Sequence, residues 1–291
     1  MTWLPLLLLV SCSQNTTINN KASLCPHGNV LRIGVDEQLT EDSEARIQEA
    51  TYLSELSTIL SRTSGCPVNI EPISTDQLGI QGLSHATWDF AFLGPSLTVL
   101  ALMDESNYIA LRSLGNKADS RSAILVNTKS EIQSYGKLSN KRLGLLPKGS
   151  ILGYYLPLYN SYGARPAAII YGESYQDLLS MLKSGKLDAI SWDTQIAPRP
   201  EGTRIAVLDP HFLPESALVM KTDYIKLDYQ TMLGQLDENA FQLPPFLRYA
   251  AGSSPRLLTY QHMFKVVREV QRWDHDIGSR LNASSNRKEQ Q

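Results

Sequence analysis

The sequence predicts an α/β fold of two lobes, each a mostly parallel sheet flanked by helices. A strand pattern occurs twice: Leu31-Arg32-Ile33-Gly34-Val35 is answered by Lys141-Arg142-Leu143-Gly144-Leu145. Downstream of each copy lie an amphipathic stretch and an Asp-led apolar run, Trp88-Asp89-Phe90-Ala91-Phe92 in one half and Leu187-Asp188-Ala189-Ile190-Ser191 in the other. Each half reads strand, helix, strand, helix, strand, the alternation of a parallel sheet covered by helices. At 291 residues the chain is long enough for two hydrophobic cores. Two such units leave a cleft between them, facing the carboxyl ends of strands, where small ligands bind.

The elements follow in order. Leu31–Val35 is a buried strand. Glu44–Arg62 carries Ala45, Ile47, Ala50, Leu53, Leu56 and Leu60 near a 3.6-residue period, a helix that Gly65 ends. Strand Val68–Pro72, a helix over Ser74–Leu83 and strand Asp89–Leu93 come next. Gly94-Pro95-Ser96 turns the chain into helix Leu97–Met103. Strands Ile109–Leu114 and Ser122–Val126 are separated by a polar loop. The second unit opens with helix Glu131–Leu138 and strand Arg142–Leu146. Pro147-Lys148-Gly149-Ser150 then starts a helix reaching about Tyr162, which Pro157 should kink. Strand Ala168–Tyr171, helix Tyr175–Lys183 and strand Ala189–Ser191 complete that unit. The chain returns through Ile205–Leu208 and Ala217–Met220 to helices Leu227–Glu238 and Leu257–Trp273, expected to pack on lobe one. Lobe one is thus residues 28–126 plus 214–280, lobe two 127–213, with a disordered polar tail over 281–291.

Composition excludes some classes. Hydrophobic residues make up 42% and charged residues 19% of a chain of net charge −2, so no basic footprint marks a nucleic-acid binder. Leu6–Val10 is an apolar run too short to span a bilayer, followed at once by Ser11-Cys12. Leu9-Val10-Ser11-Cys12 resembles a bacterial lipobox, so residues 1–12 read as a lipoprotein signal peptide with Cys12 lipidated. An ordinary secretory signal is the alternative. Residues 13–27 read as a flexible tether. In an exported chain Cys25 and Cys66 are expected to form a disulfide, since one precedes the first strand and the other the second. Two unpaired buried thiols are the alternative.

From Leu31 to Trp273 the chain resembles the periplasmic substrate-binding proteins of phosphate, phosphite and phosphonate ABC importers, which have the type II periplasmic-binding fold. The repeated strands, Leu93-Gly94-Pro95, Gly149-Ser150-Ile151-Leu152-Gly153-Tyr154 with Pro157, and Gly185-Lys186-Leu187-Asp188-Ala189 carry the resemblance. It implies a monomer, tethered to the outer face of a membrane by its lipid, that closes by hinge rotation over a small phosphorus oxyanion and delivers it to an ABC permease. No cofactor is implied. In the family, the loop matching Gly149–Gly153 reads Gly-Ser-Thr-Ser-Gly and holds the anion with hydroxyls and amides. Ile151 and Leu152 replace two of those hydroxyl positions, and Thr98 and Ser120 stand where the family has tyrosines. Asp193 matches an acidic residue that meets ligand amino groups. These departures keep open a sensory or scaffold module of the same fold with an altered ligand.

Residue by residue, Ser150 and Ser96 are N-caps at strand ends facing the cleft, where free amides favour an anion. Gly149 and Gly153 frame that loop. Trp192 is expected as an apolar or cation–π wall beside Asp193. Glu173 and Ser174 follow a strand toward the cleft, although Glu173 serves equally as a first-turn helix charge. Arg121 and His211, at the crossovers, read as surface and structural residues. The acidic run from Asp36 to Asp42 reads as a solvated loop. No Gly-x-Ser-x-Gly, His-Glu-x-x-His or phosphate loop occurs, and five histidines offer no metal spacing, so neither an enzyme nor a metal site is expected.

Overall fold

The structure is a computed structural model and describes residues 24–25, 29–39, 49–103, 107–115, 120–196 and 199–273. The proposed signal peptide with Cys12, the tether as far as residue 23 and the tail 281–291 lie outside the described residues. Ten strands form two sheets: β1 Leu31–Asp36, β2 Val68–Ile73, β3 Phe90–Leu93, β4 Tyr108–Leu114, β5 Arg121–Asn127, β6 Arg142–Leu145, β7 Ala168–Tyr171, β8 Ala189–Asp193, β9 Thr203–Phe212 and β10 Ser216–Lys221. Sheet one runs β2-β1-β3-β10-β4 and sheet two β7-β6-β8-β5-β9. Four strands of each run in one direction, while β10 and β5, the strands that follow each crossover, run antiparallel to both neighbours.

The duplicated sequence pattern has a duplicated physical cause. The amide of Arg32 donates to the Asp89 carboxylate at 2.8 Å, and the amide of Asp89 returns a bond to the Arg32 carbonyl at 2.8 Å. Arg142 and Asp188 repeat this at 2.7 and 3.0 Å. Each Asp therefore fixes the register of the third strand on the first. Each strand glycine leaves room for the residue before that Asp. A Cβ on Gly34 would lie 2.8 Å from the Trp88 ring, and one on Gly144 would lie 2.5 Å from a Leu187 methyl. Trp88 and Leu187 are buried against the two sheets.

Helices α1 Glu49–Ser64, α2 Asp76–Ser84 and α3 Pro95–Ala101 belong to lobe one, with α6 Tyr229–Glu238. Lobe two carries α4 Leu156–Asn160 and α5 Tyr175–Lys183. None of the described helices is long and apolar enough to cross a membrane. Cys25 and Cys66 are disulfide-bonded with Cα atoms 5.8 Å apart, beside the β1–β2 pairing.

Four expectations are corrected. Residues 121–126 belong to sheet two, because β5 pairs with β8 and β9. The lobe boundary therefore lies within 115–120 rather than at 126, and an apolar run alone does not say which sheet it joins. Residues 131–138 form only a 3-10 turn over Tyr135–Leu138. Arg204 takes the carbonyls of Ser130 and Ile132 at 2.6 and 2.8 Å, which removes acceptors a longer helix would use. The helix after Ser150 is a π turn over Ile151–Tyr155 followed by the short α4. Pro157 supplies no amide for the Gly153 carbonyl four residues back, and the Leu146 amide takes that carbonyl instead at 3.0 Å. The last helix, α7 at 261–273, does not pack on lobe one alone. Its Met263, Val266, Val267 and Val270 bury against Val99 of lobe one and Ile151–Leu156 of lobe two.

Candidate ligand-binding cleft

The carboxyl ends of β1, β3, β6 and β8 converge on a cavity of about 440 Å³ between the lobes. Lobe one brings Gln38 after β1, Asp76 at the start of α2, Ser96 at the start of α3 and Ser216 at the start of β10. Lobe two faces them with Ser150, Leu152, Tyr175 and Asp193. The lobes touch directly: the Ile151 amide donates to the Ser96 hydroxyl at 3.0 Å. Gly149, with φ at +128°, brings its backbone so close that an added Cβ would lie 2.5 Å from that of Asp76.

Of the residues expected from sequence, Ser96, Ser150, Ser174 and Asp193 line this cavity. Ser150 caps its turn by accepting from the Gly153 amide at 3.0 Å, so that amide is already engaged. Gly149 and Gly153 shape the loop without lining the space, Gly153 lying tight against the Leu146 side chain. Glu173 is exposed, and its amide donates to Asp177 at 3.2 Å in the first turn of α5. Trp192 is buried in the lobe-two core, since strand alternation sends it to the face opposite Asp193. Its ring meets that of Tyr175 edge-on at 5.6 Å and so supports a residue that does line the cleft.

Gln38, Asp76, Tyr175, Ser216 and Arg248 line the cavity without having been singled out in the sequence, and other residues there take roles that only the structure shows. Ser120 donates to Asp193 at 3.3 Å. Thr98 is committed to the scaffold, donating to the Leu93 carbonyl and accepting from the Ala217 amide, each at 3.1 Å. Ser216 is 1% exposed and its hydroxyl has no hydrogen-bond partner. Arg248 lies 55 residues beyond Asp193, the last site residue expected from sequence, and reaches the cleft only through tertiary folding. Arg121, read from sequence as a surface residue, instead lays its guanidinium over the Phe212 ring at 4.9 Å.

The electrostatics are acidic at one end. Asp36 is buried beneath the cleft, accepting from the Gln38 and Gly94 amides at 3.0 Å each. Burial pushes its carboxyl up to about 7, against the opposing pull of those two donors. Asp76 is pushed up to about 6, again mainly by burial, while a 2.9 Å bond from Gln38 opposes the shift. Burial and the nearby Asp193 raise the Tyr175 hydroxyl well above its ordinary value, so it stays protonated, bonded to Ser150. The cleft therefore offers hydroxyls of both donor and acceptor character, two carboxylates and one arginine.

A sequence profile for the periplasmic substrate-binding protein of phosphonate ABC transporters matches residues 42–205. No curated protein sequence matches the chain significantly. Among solved structures, the chain is similar to PhnD1 from Prochlorococcus marinus in complex with methylphosphonate, with TM-score 0.59 and 17% identity over 83% of this chain and 98% of that one. A binding protein component of an ABC phosphonate transporter from Pseudomonas aeruginosa gives TM-score 0.59 and 16% identity over 85% and 88%. The periplasmic aliphatic sulphonate binding protein from Escherichia coli gives 0.55 and 15% over 84% and 93%. These likenesses show the two-lobed α/β fold of type II periplasmic binding proteins.

Proposed function

Because the chain belongs to the family of periplasmic substrate-binding proteins of phosphonate ABC transporters, we propose that its cleft closes over a small phosphorus oxyanion for delivery to a permease. The observation that carries this reading is the Ile151–Ser96 bond, which joins the lobes around a cavity of about 440 Å³ walled by serines and one arginine. That volume lies within the ordinary range of small-molecule sites. The methylphosphonate bound by a protein of similar fold supports the ligand class.

Binding to one lobe and rotation at the crossovers 115–120 and 213–215 would close the other lobe over the ligand. Ligand drives closure only by its higher affinity for the closed form. Asp76 and Asp193 on the wall favour a ligand that carries an ammonium group or a single negative charge over a dianion. Lipidation at Cys12 would hold the protein at the outer membrane face, within diffusive reach of its permease.

A second reading rests on Ile151 and Leu152, which stand at two hydroxyl positions of the family's anion loop. It makes the protein a sensory or scaffold module with a non-phosphonate ligand. A thermal-shift panel of phosphate, phosphite, methylphosphonate, aminoethylphosphonate, sulfate and small amines separates the two. A ligand at 100 times its dissociation constant stabilises by about 2.7 kcal/mol. A shift with a phosphorus oxyanion is expected; shifts with amines or sulfate alone would assign the second reading.

A further inference from the structure

We infer that the imidazole pair His211–His262 is an acid-labile fastening between lobe two and the C-terminal helix, and that a proton on His262 frees the first turn of α7, the strap across both lobes. The consequence for ligand affinity rests on the proposed function; the release itself does not. The apolar face of α7 packs with Val99 and Leu100 of α3 in lobe one and with Leu156 and Tyr159 of α4 in lobe two, and its Trp273 ring stacks on Tyr162 at 4.7 Å. The chain entering α7 is held by lobe one and the crossover. The Ser113 amide donates to the Ser253 carbonyl at 2.8 Å, the Ser254 hydroxyl to the Leu111 carbonyl at 2.9 Å, and the Tyr260 hydroxyl to the Glu215 carbonyl at 2.6 Å. Two residues on, His262 lays its ring on that of His211, with centroids 3.8 Å and planes 16° apart. His211 lies on β9, the last strand of lobe two, just before the crossover 213–215. One side chain from a segment held by lobe one thus rests on lobe two beside the joint.

The two rings differ in what can answer a positive charge. The buried Asp209 carboxylate accepts from the His211 amide at 2.7 Å and from its ring Nδ1 at 2.9 Å. A carboxylate only accepts, so Nδ1 carries a proton and charge on His211 has a counter-ion in contact. The other Asp209 oxygen accepts from Asn160, whose amide group also reaches the Tyr135 hydroxyl at 3.4 Å. His262 has no such contact: its Nε2 is buried without a hydrogen-bond partner among the described residues. The groups facing it are His211 and Asp209 from β9, the Tyr159 ring edge-on at 6.4 Å from α4, and Lys265 from its own helix. It also stands in the first turn of α7, where the helix dipole opposes a cation. Burial, then His211, holds the His262 ring below the ordinary 6.5, with Asp209 pulling the other way. A proton there leaves a buried N–H unpaired and, once His211 is charged, sets like charge on like at stacking distance. Moving the first turn of α7 into water relieves both.

Hydrogen exchange over 261–273 of the unliganded protein at pH 7.5 and 5.0, corrected for the intrinsic pH dependence, tests the release. A ring that binds a proton less readily docked than free loses docking as pH drops through the ordinary 6.5, so first-turn protection in wild type should fall about 3- to 10-fold. This sign is opposite to that of Asp36 and Asp76, which is why the readout is local. His262→Phe keeps a flat ring that takes no proton and should hold its protection at both pH values. Carbon-13 spectra of the wild-type histidine rings should show His262 titrating below 6.5 over the range in which α7 loosens. Equal protection at both pH values in wild type, the same loss in His262→Phe, or titration of His262 without loosening each overturn the fastening. Calorimetry with methylphosphonate at the same pH values tests the link to closure: the change in Kd should be about 2- to 5-fold larger in wild type than in His262→Phe. Equal changes overturn that link, and binding by neither protein overturns the ligand class while the exchange result stands.

Discussion

The amide of Ile151 on lobe two and the hydroxyl of Ser96 on lobe one are joined by a 3.0 Å hydrogen bond across the cleft. Both residues stand at the start of a helical turn after a parallel strand, the position that points a chain end at its neighbour's edge. The bond ties the two lobes together beside the cavity, which Ser96 lines.

Ser96→Ala should loosen that closure. A neutral bond contributes about 0.5–1.5 kcal/mol, so the closed population of the unliganded protein falls and ligand affinity drops about 2- to 10-fold. Small-angle scattering should report a larger radius of gyration for the free variant, and an unchanged radius would show that Ser96 does not hold the lobes together.

Removing the Cys25–Cys66 bond, which spans 41 residues, should cost about 4 kcal/mol on the chain-entropy account. The paired Ala variant should melt about 10 °C below wild type. Wild type under reductant should match it, as both remove the same constraint.

Stability should fall as pH rises from 5 to 8. Burial raises Asp36 to about 7 and Asp76 to about 6, above the ordinary 3.8. Each therefore binds a proton more readily in the fold than in the unfolded chain. That contribution is full below about pH 4 and is lost as pH climbs through 6 and 7. Together the two amount to a few kcal/mol. Urea midpoints at pH 5.0, 6.5 and 8.0 measure the slope, and Asp76→Asn should flatten its lower part. A flat profile in wild type would remove both shifts.

Gly34→Ala should destabilise more than Gly144→Ala. The first drives a methyl into the rigid Trp88 ring, with Ile73 also at 3.0 Å, whereas the nearest atom to the second is the flexible end of Leu187. Overpacking of this kind costs about 1–3 kcal/mol, and Gly34→Ala belongs at the upper end. Equal losses by chemical denaturation would mean that the indole moves aside as easily as the leucine.

Most of the secondary structure was local and therefore legible. Helix Tyr175–Lys183 and strand Ala168–Tyr171 coincide with the sequence reading, because Ser174 caps the helix and apolar period sets each element. The failures had non-local causes. Arg204, 72 residues beyond Ile132, takes the Ile132 carbonyl in a segment whose local pattern reads as helix. Trp192 and Asp193 are adjacent in sequence, yet the strand places them on opposite faces, so only one meets the cleft.

The amino-acid sequence by itself determined the twin lobes, since Arg-x-Gly followed downstream by an Asp recurs in the same order and prescribes the same strand pairing twice. It also determined Ser96, Ser150 and Asp193 as cleft residues, because each sits at a strand's carboxyl end. Tertiary structure alone decided that Ser216 and Arg248 join the cavity lining. Ser216 and Arg248 are 32 positions apart, and they share one wall because β10 returns beside β4 while Gly115, having no side chain, lets the arginine stem lie across it.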